Sequence, residues 1–81
     1  VSPKRFREIR LGLDLTQEDT ALVLGVADKT VISRYEAGGR RPSNLMSAVM
    51  EVLASLPKKE SQKLIDLLLK QMGKIKKDSG E

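Results

Sequence analysis

Between Thr16 and Ser43 the chain reads TQEDTALVLGVADKTVISRYEAGGRRPS, and this stretch restricts the fold more than any other. Thr16 is a good helix N-cap. Asp19 stands three residues on in the capping-box position, where its acid also suits the positive end of the helix. Gly25 supplies the left-handed residue that ends this helix after Leu24. Asp28 is the next plausible N-cap, and a helix beginning at Lys29 puts Ile32 and Tyr35 on one face before Ala37-Gly38-Gly39 stops it. The pattern is two short helices joined by a glycine-marked turn, then the basic connector Arg40-Arg41-Pro42-Ser43.

The flanking segments read as helices too. Ser2-Pro3 is an N-cap with Pro at the first helical position, and Phe6, Ile9 and Leu13 recur at helical spacing, predicting a first helix over residues 3 to 12 broken at Gly12. Ser43 can cap a fourth helix over about residues 44 to 56. There Leu45, Met46, Val49, Met50, Val52, Leu53 and Leu56 form a broad apolar stripe with Glu51 outside it. Pro57 opens a fifth helix, to about Met72, with Gly73 as its stop. The tail from Gly73 to Glu81 has only Ile75 to bury and is expected to be disordered. With 81 residues the core is modest, and 40% apolar with 32% charged residues fits a globular fold. The expected fold is all-α with five helices: 1–56 as one domain, 57–73 as an amphipathic C-terminal helix, and 74–81 as tail.

Several function classes fall away on composition. The chain has no cysteine and no histidine, which removes disulfides, thiolate or imidazole zinc sites, and Cys or His catalysis. Isolated acids such as Glu18 and Asp19 are better explained as helix-start charges than as catalytic groups, so neither an enzyme nor a cofactor nor a metal is expected. No apolar run approaches the roughly 20 residues needed to cross a bilayer, and no signal peptide is visible, which points to the cytoplasm. The chain starts at Val1, so either a Met was removed or it is a piece of something longer. Net charge is +4 with a pI near 9.6, a mild bias towards anionic partners.

A helix-turn-helix needs a small residue where its helices cross, a residue tolerating positive φ in the turn, and an apolar anchor in the second helix. Ala21, Gly25 and Ile32 fill these roles, and the helices then meet at about 90–120°. The exposed N-terminal half of the second helix is left free to approach bases. Arg10, Thr16-Gln17-Glu18, Ala21, Leu24-Gly25-Val26, Ile32-Ser33-Arg34-Tyr35-Glu36 with Gly38, and Arg41-Pro42-Ser43 occur here in an order and spacing that resembles the Cro and lambda-repressor (XRE) type of helix-turn-helix domain, over about residues 3 to 56. Two departures stand out. Thr20 occupies the position before Ala21 where the family usually has Leu, and one extra residue lies between Gly25 and Ile32. If the extra residue is in the turn, Asp28 caps the helix and Lys29, Thr30, Ser33 and Arg34 face DNA. If the helix starts at Ala27, the contact set slips by one. The first arrangement keeps Ile32 and Tyr35 buried together.

The resemblance implies a five-helix lambda-repressor-like fold with an extended C-terminal helix. It also implies a sequence-specific double-stranded DNA-binding regulator, a repressor, acting as a homodimer with recognition helices about 34 Å apart. Arg34 is then the base reader, since Arg pairs bidentately with guanine O6 and N7. Lys29 suits a phosphate although its charge disfavours a helix start. Thr30 and Ser33 could bond base edges. Gln17 matches the family residue that bonds a phosphate and braces the recognition helix, while Arg40, Arg41 and Asn44 make a second phosphate clamp. Arg10 and Glu36 match a partly buried structural ion pair. With one Tyr and one Phe there is no aromatic platform for single strands. On the fifth helix Leu64, Ile65, Leu68, Leu69 and Met72 cover one arc that Leu67 extends to about 200°, wider than a single core-facing stripe. A second chain is expected to cover the excess, at Leu64, Leu67, Leu68 and Met72, although the loop around Gly38-Gly39 could form the contact between subunits instead. Two further readings stay open. The segments SPKRFREIR, LTQED, SRYEAG and RRPS are similar to the DNA-binding half of zinc-containing antitoxins, which would make a toxin the partner. The same scaffold could also serve as a protein-interaction module.

Overall fold

Each helix of the computed structural model starts on a side-chain cap or a proline, and α2 and α3 each stop at a left-handed glycine. The structure describes residues 1–79, with side chains described for 1–73. Helix α1 (Pro3–Gly12) is capped by Ser2, whose Oγ accepts from the Arg5 N–H at 3.1 Å. Pro3 fills a position whose N–H would have no helical partner. Helix α2 (Gln17–Leu24) is capped by Thr16, whose Oγ1 accepts from the Asp19 N–H at 3.0 Å. It ends at Gly25, φ +70°, with the Val26 N–H returned to the Ala21 carbonyl at 3.0 Å and that of Gly25 to Leu22 at 3.2 Å. This paired closure satisfies carbonyls the helix leaves open and needs a left-handed residue.

Helix α3 (Lys29–Ala37) is capped by Asp28, whose Oδ1 accepts from the Thr30 N–H at 2.8 Å, and Gly38 ends it at φ +85°. Helix α4 (Asn44–Ser55) is capped by Ser43, and Leu56 leaves it in an extended conformation, as a residue before proline prefers. Helix α5 (Lys58–Ser79) comes last. It runs through Gly73, so the expected stop there is wrong, and the backbone over 74–79 is helical, not an irregular tail. Residues 80–81 lie outside the described residues. Gly ends a helix when the chain turns left-handed. Here no such φ occurs at Gly73, open space surrounds it, and the helix continues at a cost of about 1 kcal/mol relative to alanine.

Phe6, Ile32, Met50 and Leu53 form the innermost core, joining α1, α3 and α4, with the Phe6 and Tyr35 rings edge to face at 5.6 Å. Ala21, nearly without exposure, lets α2 lie close on α3. Helix α5 buries Ile65 and Ser61 and lays its later turns along α2, with Met72 near Gly25. Thr20, where a Leu is usual in the resembling family, is fully buried. Its hydroxyl donates to the Thr16 carbonyl at 2.8 Å, so the polar atom costs the core little.

Candidate nucleic-acid interface

Helix α3 has one anchored face and one open face. Ile32 and Tyr35 are buried and Val31 and Glu36 half-buried, whereas Lys29, Thr30, Ser33, Arg34 and Ala37 are exposed. At about 100° per residue the open side spans about 140°, from Lys29 at one edge to Arg34 at the other. Ser33, Ala37 and Thr30 lie between them. Small side chains thus occupy the middle and the two cations the edges. The extra residue relative to the family pattern lies in the turn, as Asp28 caps the helix and it starts at Lys29, not at Ala27.

The underside of α3 is tied to α1 and α2 by charge. Arg10 donates from Nε to Glu36 Oε2 at 2.5 Å and from Nη2 to Oε1 at 3.1 Å, and its Nη1 reaches the Leu15 carbonyl at 2.9 Å. The two side chains are only 11% and 7% exposed. Gln17 joins this group, donating from Nε2 to Glu36 Oε1 at 3.3 Å. Part of the amide expected to meet a phosphate is therefore turned inward, and Gln17 links the start of α2 to α3. The carboxylate of Glu36 is engaged on both oxygens and does not face the open side.

Past α3, Arg40 and Arg41 are exposed, Pro42 is buried, and Asn44 is exposed at the start of α4. The loop they form borders a cleft of about 580 Å³ against Val1–Pro3, with Tyr35, Asn44 and Ser47 also in its wall. Gly38 belongs here for its φ of +85°; a side chain would begin at an ordinary 3.5 Å from Pro3 Cγ, so space alone does not require glycine. None of Lys29, Arg34, Arg40 and Arg41 is in an ion pair among the described residues. Four unspent cations thus share α3 and the loop after it.

Sequence reasoning missed that acids gather beside Lys29. Glu18, Asp19 and Asp28 share with Lys29 and Thr30 a depression of about 610 Å³, closed on one side by Met72. The signal was present, because both helices begin with acidic residues and the turn brings those beginnings together. Of the residues expected to meet a second chain, Leu64 (38%) and Leu67 (52%) are exposed, while Leu68 and Met72 are half-buried. The four do not form one open surface.

Two helices crossing at Ala21, a left-handed Gly25 and a second helix anchored by Ile32 with its leading face bare define the helix-turn-helix class of DNA-binding domain. The chain belongs to the family described as Helix-turn-helix (HTH_3), of Cro/C1 type, whose model matches residues 6–48, just over half of the sequence. The match runs from α1 into α4 and takes in the whole of α2, α3 and the Arg40–Ser43 loop. The family is one of DNA-binding domains and not of enzymes. No curated protein and no solved structure matches the chain. No helix among the described residues is long and apolar enough to cross a membrane.

Proposed function

We propose that this chain is a sequence-specific regulator of transcription that reads the major groove of double-stranded DNA with α3 and acts as a homodimeric repressor. The observation that carries the reading is the division of α3 into an anchored face and a bare one bearing Lys29, Thr30, Ser33 and Arg34. Arg34 takes a base edge, with Thr30 and Ser33 in the small-residue centre beside it. Lys29, Arg40, Arg41 and Asn44 meet phosphates. Gln17 keeps one amide N–H for a phosphate while the other holds Glu36. With its 30 or 20 Å axis along the duplex, one copy fits each half-site of a pair spaced by one turn of DNA, about 34 Å. Occupying the groove is enough to exclude other proteins from the same site, which makes repression the simplest outcome of binding.

Selection from a random duplex library, and then titration of the selected and scrambled duplexes at two salt concentrations, tests this. A preferred sequence is expected, above a nonspecific background of about 10⁻⁴–10⁻⁶ M that weakens as salt rises. Absence of duplex binding at low salt would reject the reading and favour a protein partner on the same scaffold.

A further inference from the structure

We infer that two copies of this chain meet through the outward face of α4. The inference deepens the homodimer reading and rests on it for its consequence on DNA, but it relocates the contact from α5. Leu45 is 74% exposed and Val52 54% exposed. Seven residues apart, they lie about 10 Å from one another along one side of the helix, and their directions differ by about 20°. Exposed Ala48 sits between them. This large–small–large order is complementary to itself. When two α4 helices cross antiparallel at Ala48, Leu45 of each copy lies on Val52 of the other, as a two-fold axis requires. The small residue at the crossing lets the helices approach closely.

Charge favours this face over α5. In a chain with 32% charged residues, the 12-residue α4 carries one charge, Glu51, and its own Arg5 engages that carboxylate at 2.8 Å. Nothing on the stripe repels a second copy. On α5, by contrast, Leu67 opens among Lys59, Lys63, Lys70 and a single acid, Asp66. Bringing two such faces together opposes lysine to lysine.

Size defines what the contact can do. A helix of 12 residues is about 18 Å long and 10–12 Å wide, a strip on the order of 200 Å² per copy. A stable interface buries about 800 Å² per partner. The strip is too small to hold a free dimer firmly, yet it begins at Leu45, directly after the Arg40–Asn44 clamp. It therefore acts when DNA already holds two copies side by side, and its effect is cooperative filling of paired half-sites.

The chain has no cysteine, so Ala48→Cys and Leu67→Cys each introduce a single thiol for a short bis-maleimide cross-linker. Both are treated with and without a duplex carrying two inverted copies of the selected half-site. Covalent dimer is expected from Ala48→Cys and not from Leu67→Cys, with Val52→Lys in the same chain abolishing it. Val52 is more than half exposed, so this variant should fold, which circular dichroism checks. Val52→Lys alone should bind a single half-site as the parent does, while its Hill coefficient on paired half-sites falls from about 2 towards 1. Preferential cross-linking through Leu67→Cys, cross-linking indifferent to Val52→Lys, or retained cooperativity would each overturn the α4 contact. So would DNA binding by both thiol variants without a cross-link through either. If no duplex is bound while Ala48→Cys still cross-links, the DNA reading and the dependence of the contact on DNA both fall, and the α4 face stands as a contact between free copies.

Discussion

Removing the Arg10 side chain should do more damage than any other single truncation of a charged residue. Arg10→Ala strips Glu36 of two hydrogen bonds, leaves it the longer one from Gln17, and takes from the Leu15 carbonyl its only side-chain donor among the described residues. Because the Glu36 side chain is only 7% exposed, bulk water does not readily replace what is lost. Breaking a buried pair from one side costs about 3–5 kcal/mol. For 81 residues the whole stability is about 4–12 kcal/mol, so the variant is brought close to unfolding. At about 4–8 °C per kcal/mol, Tm should fall by roughly 10–40 °C. Replacing both partners, as Arg10→Met with Glu36→Leu, strands neither charge and leaves chiefly the Leu15 carbonyl unpaired, a cost of about 1–3 kcal/mol. The double variant is therefore more stable than Arg10→Ala. Urea unfolding monitored by circular dichroism measures both. A loss below about 1 kcal/mol for Arg10→Ala would refute the reasoning, since that is the value of a pair open to water.

Four other outcomes are expected. Arg34→Ala should weaken binding to the selected duplex by about 1–3 kcal/mol and relax one base position. Lys29→Ala should weaken all duplexes alike and lower the salt slope by about 1; titration across sequences and salt separates the two roles. Gly25→Ala should destabilise by about 1–2 kcal/mol through backbone strain alone. At φ +70° the new methyl would meet only Met72 Cε, at an ordinary 3.6 Å, so a much larger loss in thermal melting would point to a clash instead. Among the described residues Asp14 is the one non-glycine with positive φ, at +57°, and its ion pair with Lys58 is largely exposed. Asp14→Asn should be near neutral, while Asp14→Val should lose about 1–2 kcal/mol, because a branched side chain does not suit that conformation.

The features legible in the sequence are those whose chemistry spans three or four residues. Thr16, Asp28 and Ser43 cap helices because their side-chain oxygens reach an N–H two or three positions on, and that reach does not depend on distant structure. Gly25 and Gly38 end helices because the chain beyond each folds back onto the preceding turn. The same locality settles the register of α3. Either start was open from residue types alone, but an extended Asp28, φ −165°, can cap only a helix that begins at Lys29. Contacts across the sequence were harder to read. The inward turn of Gln17 depends on where α3 carries Glu36, and the acids beside Lys29 gather only when two helix starts meet at the turn. Gly73 shows the converse limit. A glycine permits a stop, but the helix takes it only where the backbone at that residue turns left-handed.

The apolar stripes of α4 and α5 were legible as stripes and illegible as surfaces, for a geometric reason. A stripe's width comes from spacing, whereas which edge is covered depends on which neighbour lies alongside. Helix α4 turns Met50 and Leu53 into the core, with α1 alongside, and the edge carrying Leu45 and Val52 is left over. Helix α5 spends its edge differently: α2 lies alongside, Leu68 and Met72 are half-buried, and the remaining leucines emerge among lysines. An apolar edge in water costs about 25 cal/mol for each Å² left uncovered. The α5 edge at Leu67 is bordered by Lys59, Lys63 and Lys70, residues whose long stems suit covering apolar surface. The α4 edge has no such cover, since its one charged residue is drawn off to Arg5. Of the two, α4 has more to gain from a second copy.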